Sequence, residues 1–387
     1  MMELLDDIAI VGYAETPVGK LPGRSAIQLQ AEAAVTAVRD AGLSKADIGA
    51  IFSFSGYSQA MLMHGARVAE YLGIRPEITA QIDVGGPGAH HMALLAAAAA
   101  LRTGQCTAVL CTYGENGISV RKAGRGRAPG TLTGGEDFEM PYGLNAMITQ
   151  YALLAQRHVH RYGTTSEQMG AVALTSRYHA SLNPNAHKRE PITLEDHQNS
   201  PMVSSPLRLL DVSLISDGAG AFVVTTKDRA ADLPNVPVGV LGWGMATTHH
   251  IVSQAPDVNE LGARPAAKLA LDRAGVRADE ADVVYVHDAC TISTILGIEA
   301  LGLCGEGEGG PYAAEGRLQL GGPHPVNVHG GMLSHGHAGG VFHLIDAIRQ
   351  LRHEAEARQA PNAELAIVSG NGGVLSTFST MVLQRCA

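Results

Sequence analysis

Two stretches of this chain, 250 residues apart, carry one pattern. The Ala-rich run 93–102 and the run 343–352 both close on Leu-Arg, and laid over each other they bring a series of neighbours into register. Residues 7–13 and 238–242 each read as a short apolar strand leading to a glycine turn. The helical runs 25–41 and 261–274 are followed by related stretches, A-G-L-S-K-A-D and A-G-V-R-A-D-E, with glycine at the natural stop. Strands at 47–54 and 283–287 come next. A helix at 61–72 and strands at 77–84 and 107–112 complete the first copy. Apolar strands alternating with helices in this rhythm are buried on both faces, which predicts parallel α/β layers. A length of 387 residues leaves room for two such halves. The expected organisation is a first half over residues 1–232 and a second over 233–387. The rhythm breaks at about 118–207, a stretch rich in Gly, Pro, Asn and charge around one amphipathic run at 146–161. It reads as a cap inserted into the first half.

The same shift drops His337 onto Pro87, so the halves place equivalent turn-to-helix corners there. Residues 326–340 read V-N-V-H-G-G-M-L-S-H-G-H-A-G-G, and an apolar helical run, 341–351, follows at once. Glycines on both sides let the backbone turn tightly and approach a ligand. The helix would aim its N-terminal N–H groups and the positive end of its dipole at whatever lies beside His337. That suits chemistry in which negative charge develops. A Gly-rich surface loop with neighbouring histidines would read the same in isolation.

Composition narrows the classes. A net charge of −9 argues against a nucleic-acid surface as the main partner. The longest strongly apolar run, 92–101, is too short to span a bilayer, and M-M-E-L-L-D-D lacks the order of a signal peptide. Five cysteines with no C-x-x-C pair predict a reducing, cytoplasmic setting without a disulfide framework. His90, His91, His249, His250, His335 and His337 lack the spacing of a metal site, so no metal is expected.

Residues 286–305, V-H-D-A-C-T-I-S-T-I-L-G-I-E-A-L-G-L-C-G, resemble the signature of the thiolase superfamily, and most of all its sterol-carrier-protein and lipid-transfer-protein type. Y-G-L-N-A-M at 142–147, R-Y-G-T-T-S-E-Q at 161–168 and P-L-R-L-L-D-V-S-L-I-S-D-G-A-G-A at 206–221 agree. N-x-x-G-G at 327–331 and G-H-A-G-G at 336–340 are similar to the thiolase block that ends in Gly-His-Pro. The resemblance is collinear over nearly the whole chain. It implies a duplicated, five-layered thiolase fold, a homodimer, and substrates carried as coenzyme A thioesters with no bound cofactor. For this branch it also implies a small zinc-ribbon/OB-fold partner protein.

Carried over residue by residue, His337 takes the place of the family's Gly-His-Pro histidine. His287 takes that of the Asn or His that holds the thioester carbonyl. Asn145 falls near a substrate-contacting His or Met pair, and Pro87, Gly331, His335 and Gly372 fall in the blocks expected to line the substrate and coenzyme A site. Two departures stand out. The nucleophilic cysteine should lie in V-G-G-P-G-A-H-H-M at 84–92, where both the family blocks and the internal shift arrive at Pro87. The second catalytic cysteine, expected at 369–373, is replaced by S-G-N-G-G.

An imidazole has the unperturbed pKa nearest neutrality, which suits His337 to proton transfer. His287, at a strand end, is placed to donate to a thioester oxygen; the alternative is a half-buried pair with Asp288. Asn371 sits in a glycine corner and offers an amide to substrate, although Asn-Gly is also an ordinary turn. Cys290 is the one replacement nucleophile near His287, and it reads as a small buried residue. Arg121, Lys122, Arg125 and Arg127 in the cap would meet coenzyme A phosphates or simply be solvated. The chemistry that survives loss of cysteine runs through an enolate, which needs oxyanion donors and an acid–base group but no acyl-enzyme. The expectation is a cysteine-independent (retro-)aldol lyase of acyl-CoA. The alternatives are a thiolase-type acyl-CoA C-acyltransferase and a non-catalytic acyl-CoA-binding subunit of a two-protein complex.

Overall fold

Among the described residues, nine strands form one continuous sheet, and the pairing repeats across its middle. In the computed structural model, which describes residues 4–120, 136–144, 146–255, 257 and 262–386, the first five run in the order Ile78–Gln81, Ala50–Phe54, Ala108–Asn116, Asp217–Thr226, Ile8–Glu15. The first three are mutually parallel and the remaining contacts are antiparallel. Across a short seam, Ala9 opposite Gly239 and Ile10 opposite Val238, the order is mirrored as Val238–Thr247, Thr377–Arg385, Leu365–Gly372, Val283–Val286. Antiparallel, antiparallel and parallel contacts recur in the same sequence. Even the first half's edge strand has a remnant, a single parallel bridge between Val284 and Val326.

The helices complete five layers. Gly88–Arg102 and Val341–Leu351 lie between the two halves of the sheet, where Ala93, Leu94, Ala97 and Leu101 pack with Leu344 and Ile348 against residues of both halves, among them Phe52, Val109, Val368 and Met381. The run of alanines lets two sheet surfaces close on one helix layer. Ala26–Asp40 and His64–Leu72 cover one outer face, and Ala263–Ala274 and Thr291–Leu301 the other. From the inserted stretch, Tyr151, Leu154, Met169 and Val172 share the buried cluster of that second face. The helices Met147–Tyr162 and Ser166–Ser181 that carry them are therefore packed onto the second half.

The strand Ala108–Asn116, which covers the apolar run expected around 107–112, is paired on both sides within the chain, with Ala50–Phe54 and Asp217–Thr226. Its apolar run reflects a central position. The open edge of the first half is Ile78–Gln81 instead. Among the described residues no helix is long and apolar enough to cross a membrane.

Burial of imidazoles in the central layer sets an acid limit on the fold. His90 bonds Gly339 O at 3.0 Å and His91 bonds Ser379 Oγ at 2.7 Å. Desolvation by burial, with neighbouring histidines adding to it, depresses their pKa values to about 4 and about 3. The unfolded chain would take up these protons from pH 6.5 downward while the folded one resists, so stability is complete above that value and drains away towards pH 4. Each such histidine costs about 2 kcal/mol at pH 5. Thermal melts should show the midpoint falling steeply from pH 7 to pH 5, and His91→Gln, which cannot take up the proton, should flatten that slope.

Candidate active site

The strand Leu365–Gly372 ends beside the turn that opens helix Gly88–Arg102, and the loop before helix Val341–Leu351 closes over both. Glycine makes the approach possible. A Cβ at Gly370 would stand 2.2 Å from Cβ of Pro87, and one at Gly340, where φ is +76°, would stand 2.1 Å from its Cγ. Buried Pro87 is thus wedged between the second half's strand end and its helix start. The next glycine along, Gly372, meets the turn itself, its missing Cβ lying 2.4 Å from Val84 O.

His287 directly follows the strand Val283–Val286, and its N–H donates to Ser369 O at 3.0 Å. The imidazole therefore stands where two parallel strands end. Half-buried His337 is fixed by a parallel bridge to Ile215 and has Ser213 Oγ 3.5 Å from its Nδ1. The two rings face each other edge to face, centroids 6.4 Å apart and planes at 83°. Asn371, 2% exposed, points Nδ2 at the Tyr151 hydroxyl, 3.4 Å away. His287 and Asn371 line one cleft with Ser369, Leu296 and Phe378, and half-exposed Glu306 lies on its outer wall.

Both imidazoles are held neutral. Burial drives the His287 pKa well below its usual value, and the neighbouring His337 and His343 add to the effect. Burial also lowers that of His337, with the Asp288 carboxylate opposing it. Cys290, 1% exposed, has its thiol pushed well up by burial, then by Asp211 and Asp288. It remains a thiol, and burial matters more than either carboxylate. Two neutral imidazoles, an amide and a phenol can donate hydrogen bonds to an oxyanion and accept one proton. They supply no thiolate nucleophile.

Other expected site residues fall elsewhere. His335, expected to line the substrate site, is fully buried, with Nδ1 2.9 Å from Asn183 Nδ2, Nε2 3.4 Å from Glu15 and its ring against Phe342. It closes the π-helical turn Gly331–His335, whereas His337 lies beyond the reversal at Gly336. Gly331 serves Asp288 rather than the cleft, since a Cβ there would stand 1.9 Å from Oδ2. Asp288 does not pair with His287. It accepts from the Met332 and Leu333 N–H groups and from His343 Nε2 at 3.1 Å. Asn145, Arg121, Lys122, Arg125 and Arg127 lie outside the described residues. Sequence reasoning passed over Tyr151, Ser213 and His343. Ser213 lies within the family-like block 206–221, but Tyr151 and His343 look like ordinary members of helical runs.

A family described as thiolase C-terminal domain-like matches residues 244–385. The chain is 33% identical to a steroid side-chain-cleaving aldolase of Thermomonospora curvata, over 94% of this chain and 95% of that one. It is 34% identical to a 17-hydroxy-3-oxo-4-pregnene-20-carboxyl-CoA lyase of Mycobacterium tuberculosis, over 94% and 96%. The chain belongs to the thiolase superfamily. That membership bears out the resemblance read from residues 286–305 and 326–340, and the duplicated layers are those of the thiolase fold. A solved Ltp2-ChsH2(DUF35) aldolase superposes with a TM-score of 0.89 at 30% identity, covering 99% of both chains. An acetyl-CoA acetyltransferase of Methanothermobacter thermautotrophicus is also similar, 30% identical over 98% of this chain and all of that one.

His287→Ala should lower turnover by ~10²–10³ through loss of an oxyanion donor. His337→Ala should be at least as damaging, because the proton acceptor goes too. Steady-state rates of folded variants on a turned-over acyl-CoA check this; near-normal rates in both would place the site elsewhere. With the His337 pKa depressed, the acid limb of kcat/KM should lie below the ordinary imidazole value of 6.5, as the ring gains its proton.

Proposed function

We propose that the protein is a carbon–carbon lyase of the retro-aldol type acting on β-hydroxyacyl-CoA thioesters. The observation that carries this reading is Pro87, wedged by Gly340 and Gly370 at the helix start where a thiolase would present its nucleophile. Proline has neither a nucleophilic side chain nor an N–H, and no cysteine precedes residue 106. The aldolase and lyase relatives, similar over nearly the full length, support the same direction.

In the proposed step, neutral His337 removes the proton of the β-hydroxyl. The Cα–Cβ bond breaks, its electrons pass into the thioester as an enolate, and the hydroxyl carbon leaves as a carbonyl. His287, with Asn371 beside it, donates to the enolate oxygen, and a proton then returns to Cα. Neutral donors suit this role, because a permanently charged imidazolium would hold the thioester ground state as well as the enolate. The acetyltransferase relative supports a second reading, acyl transfer to free coenzyme A.

Two aspects of assembly belong to the proposal. The open strand edge Ile78–Gln81, with exposed Leu62, Met63 and Tyr71 around the adjoining helix, fits pairing with a second copy of the chain. The solved aldolase relative is a two-protein assembly by name, which supports a second, unlike partner here as well. The free cysteines fit the reducing cytosol. Light scattering at micromolar concentration should return twice the 40.4 kDa chain mass, and a monomeric mass would remove the edge-strand pairing.

Cys290→Ala should leave turnover within about twofold, since a buried thiol with a raised pKa is inert. Intact-mass spectra of the wild type mixed with a turned-over acyl-CoA should show the unmodified chain alone. A peak shifted by the acyl mass would sink the lyase and favour the acyltransferase.

A further inference from the structure

The loop that carries His337 has little to hold it from within. Three of its five residues, 336–340, are glycines, and glycine loses more chain entropy on being fixed than any other residue. On one side the loop meets Ile215 and Ser213, through the bridge to His337 and the 3.5 Å approach of the hydroxyl to its Nδ1. Its other contacts come from the first half of the chain.

Helix Gly88–Arg102 supplies two of them. Pro87 and His90 are one turn apart and so face the same loop: Pro87 meets Gly340, and His90 Nε2 lies 3.0 Å from Gly339 O. A carbonyl can only accept, so Nε2 carries the hydrogen and donates. Tyr113 lies against the same glycine. At Gly339, where φ is +53°, a Cβ would stand 2.8 Å from Cε1 and Cζ of the phenol ring. The imidazole and the phenol meet edge to face, centroids 5.8 Å apart and planes at 73°. Tyr113 is itself pinned, stacked on Phe54 at 5.1 Å, with its hydroxyl donating to Glu115 Oε2 at 3.1 Å. Ala338, between His337 and Gly339, is fully buried in the same cluster. His90 is buried too, and an apolar residue such as nearby Leu94 would fill the layer at less desolvation cost. What the imidazole adds to packing is one N–H, aimed at the loop. Burial keeps that ring neutral, and His343 beside it adds to the effect.

We propose that His90 is a positioning residue for His337: with Tyr113 it clamps Gly339 and so fixes the imidazole two residues earlier in the loop. His90 is not among the described residues that line the cleft, so it acts on the base and leaves substrate binding alone. The clamp rests on His337 as the proton acceptor of the lyase proposed above. Loosening it frees the His337 ring from its present setting, where His287, Asp288 and His343 are the titratable groups that bear on it. A freer ring is better solvated, which relieves the desolvation that depresses its pKa.

The test compares His90→Phe, which fills the space without the N–H, with His90→Gln, whose amide can reach Gly339 O. The kcat of H90F should fall about tenfold to a hundredfold, since a misplacement of about 1 Å can cost ~10² in rate, with KM within about twofold. Its acid limb in kcat/KM should move up towards 6.5. H90Q should restore both. A merely structural role would lower the melting temperature of H90F and leave kcat and the acid limb of the folded protein where they are; that result overturns the clamp. So does an equal loss in H90F and H90Q. His337→Ala, run beside them, separates the two claims. If it is as active as the wild type, the base assignment falls and the clamp with it. If it is inactive while H90F keeps the wild-type rate and limb, the clamp alone falls. Should H90F fail to fold, His90→Asn, whose amide stops short of Gly339 O, carries the same expectations.

Discussion

The site depends on one steric contact, the wedge of Pro87 between Gly340 and Gly370. Neither glycine can carry a side chain without moving the proline, so the first half's central helix starts where the second half's strand ends. His287, Asn371 and the loop that carries His337 are brought together by that closure. The histidine loop in turn relies on Gly331, which lets the Asp288 carboxylate settle onto the Met332 and Leu333 N–H groups. Packing comes first here, and the chemistry is mounted on it.

Burial does the rest. In a dry interior an imidazole prefers its neutral form, and a thiol keeps its proton. The same effect therefore makes His287 a neutral donor, leaves His337 able to accept a proton, and silences Cys290. A thiolase corner that has lost its thiolate keeps the means to stabilise an enolate. The reaction that remains open is one that needs an oxyanion and a proton acceptor, and no covalent intermediate.

Much of this was legible in the chain, for a physical reason. The 250-residue repeat reflects strand pairings that must recur for two halves to share one sheet, so it marks the layers and sets Pro87 opposite His337. Periodicity did not say which strand lies at an edge: the apolar run near residues 107–112 is equally apolar in the centre of a sheet and in a subunit contact. The separate settings of His335 and His337 were not legible, because two residues of separation mean little across a π turn and the glycine that follows it. Tyr151 and His343 were invisible because contacts made across 220 and 55 residues leave no local mark.

The account stands most directly on the fate of one substrate carbon. Pure protein is incubated in deuterium oxide with β-hydroxyacyl-CoA thioesters and no added coenzyme A, and the products are read by mass spectrometry. Retro-aldol cleavage predicts equal amounts of a free carbonyl compound and a shortened acyl-CoA, the latter carrying solvent deuterium on its α-carbon. Cleavage that begins only when free coenzyme A is supplied, with both fragments recovered as thioesters, would contradict it.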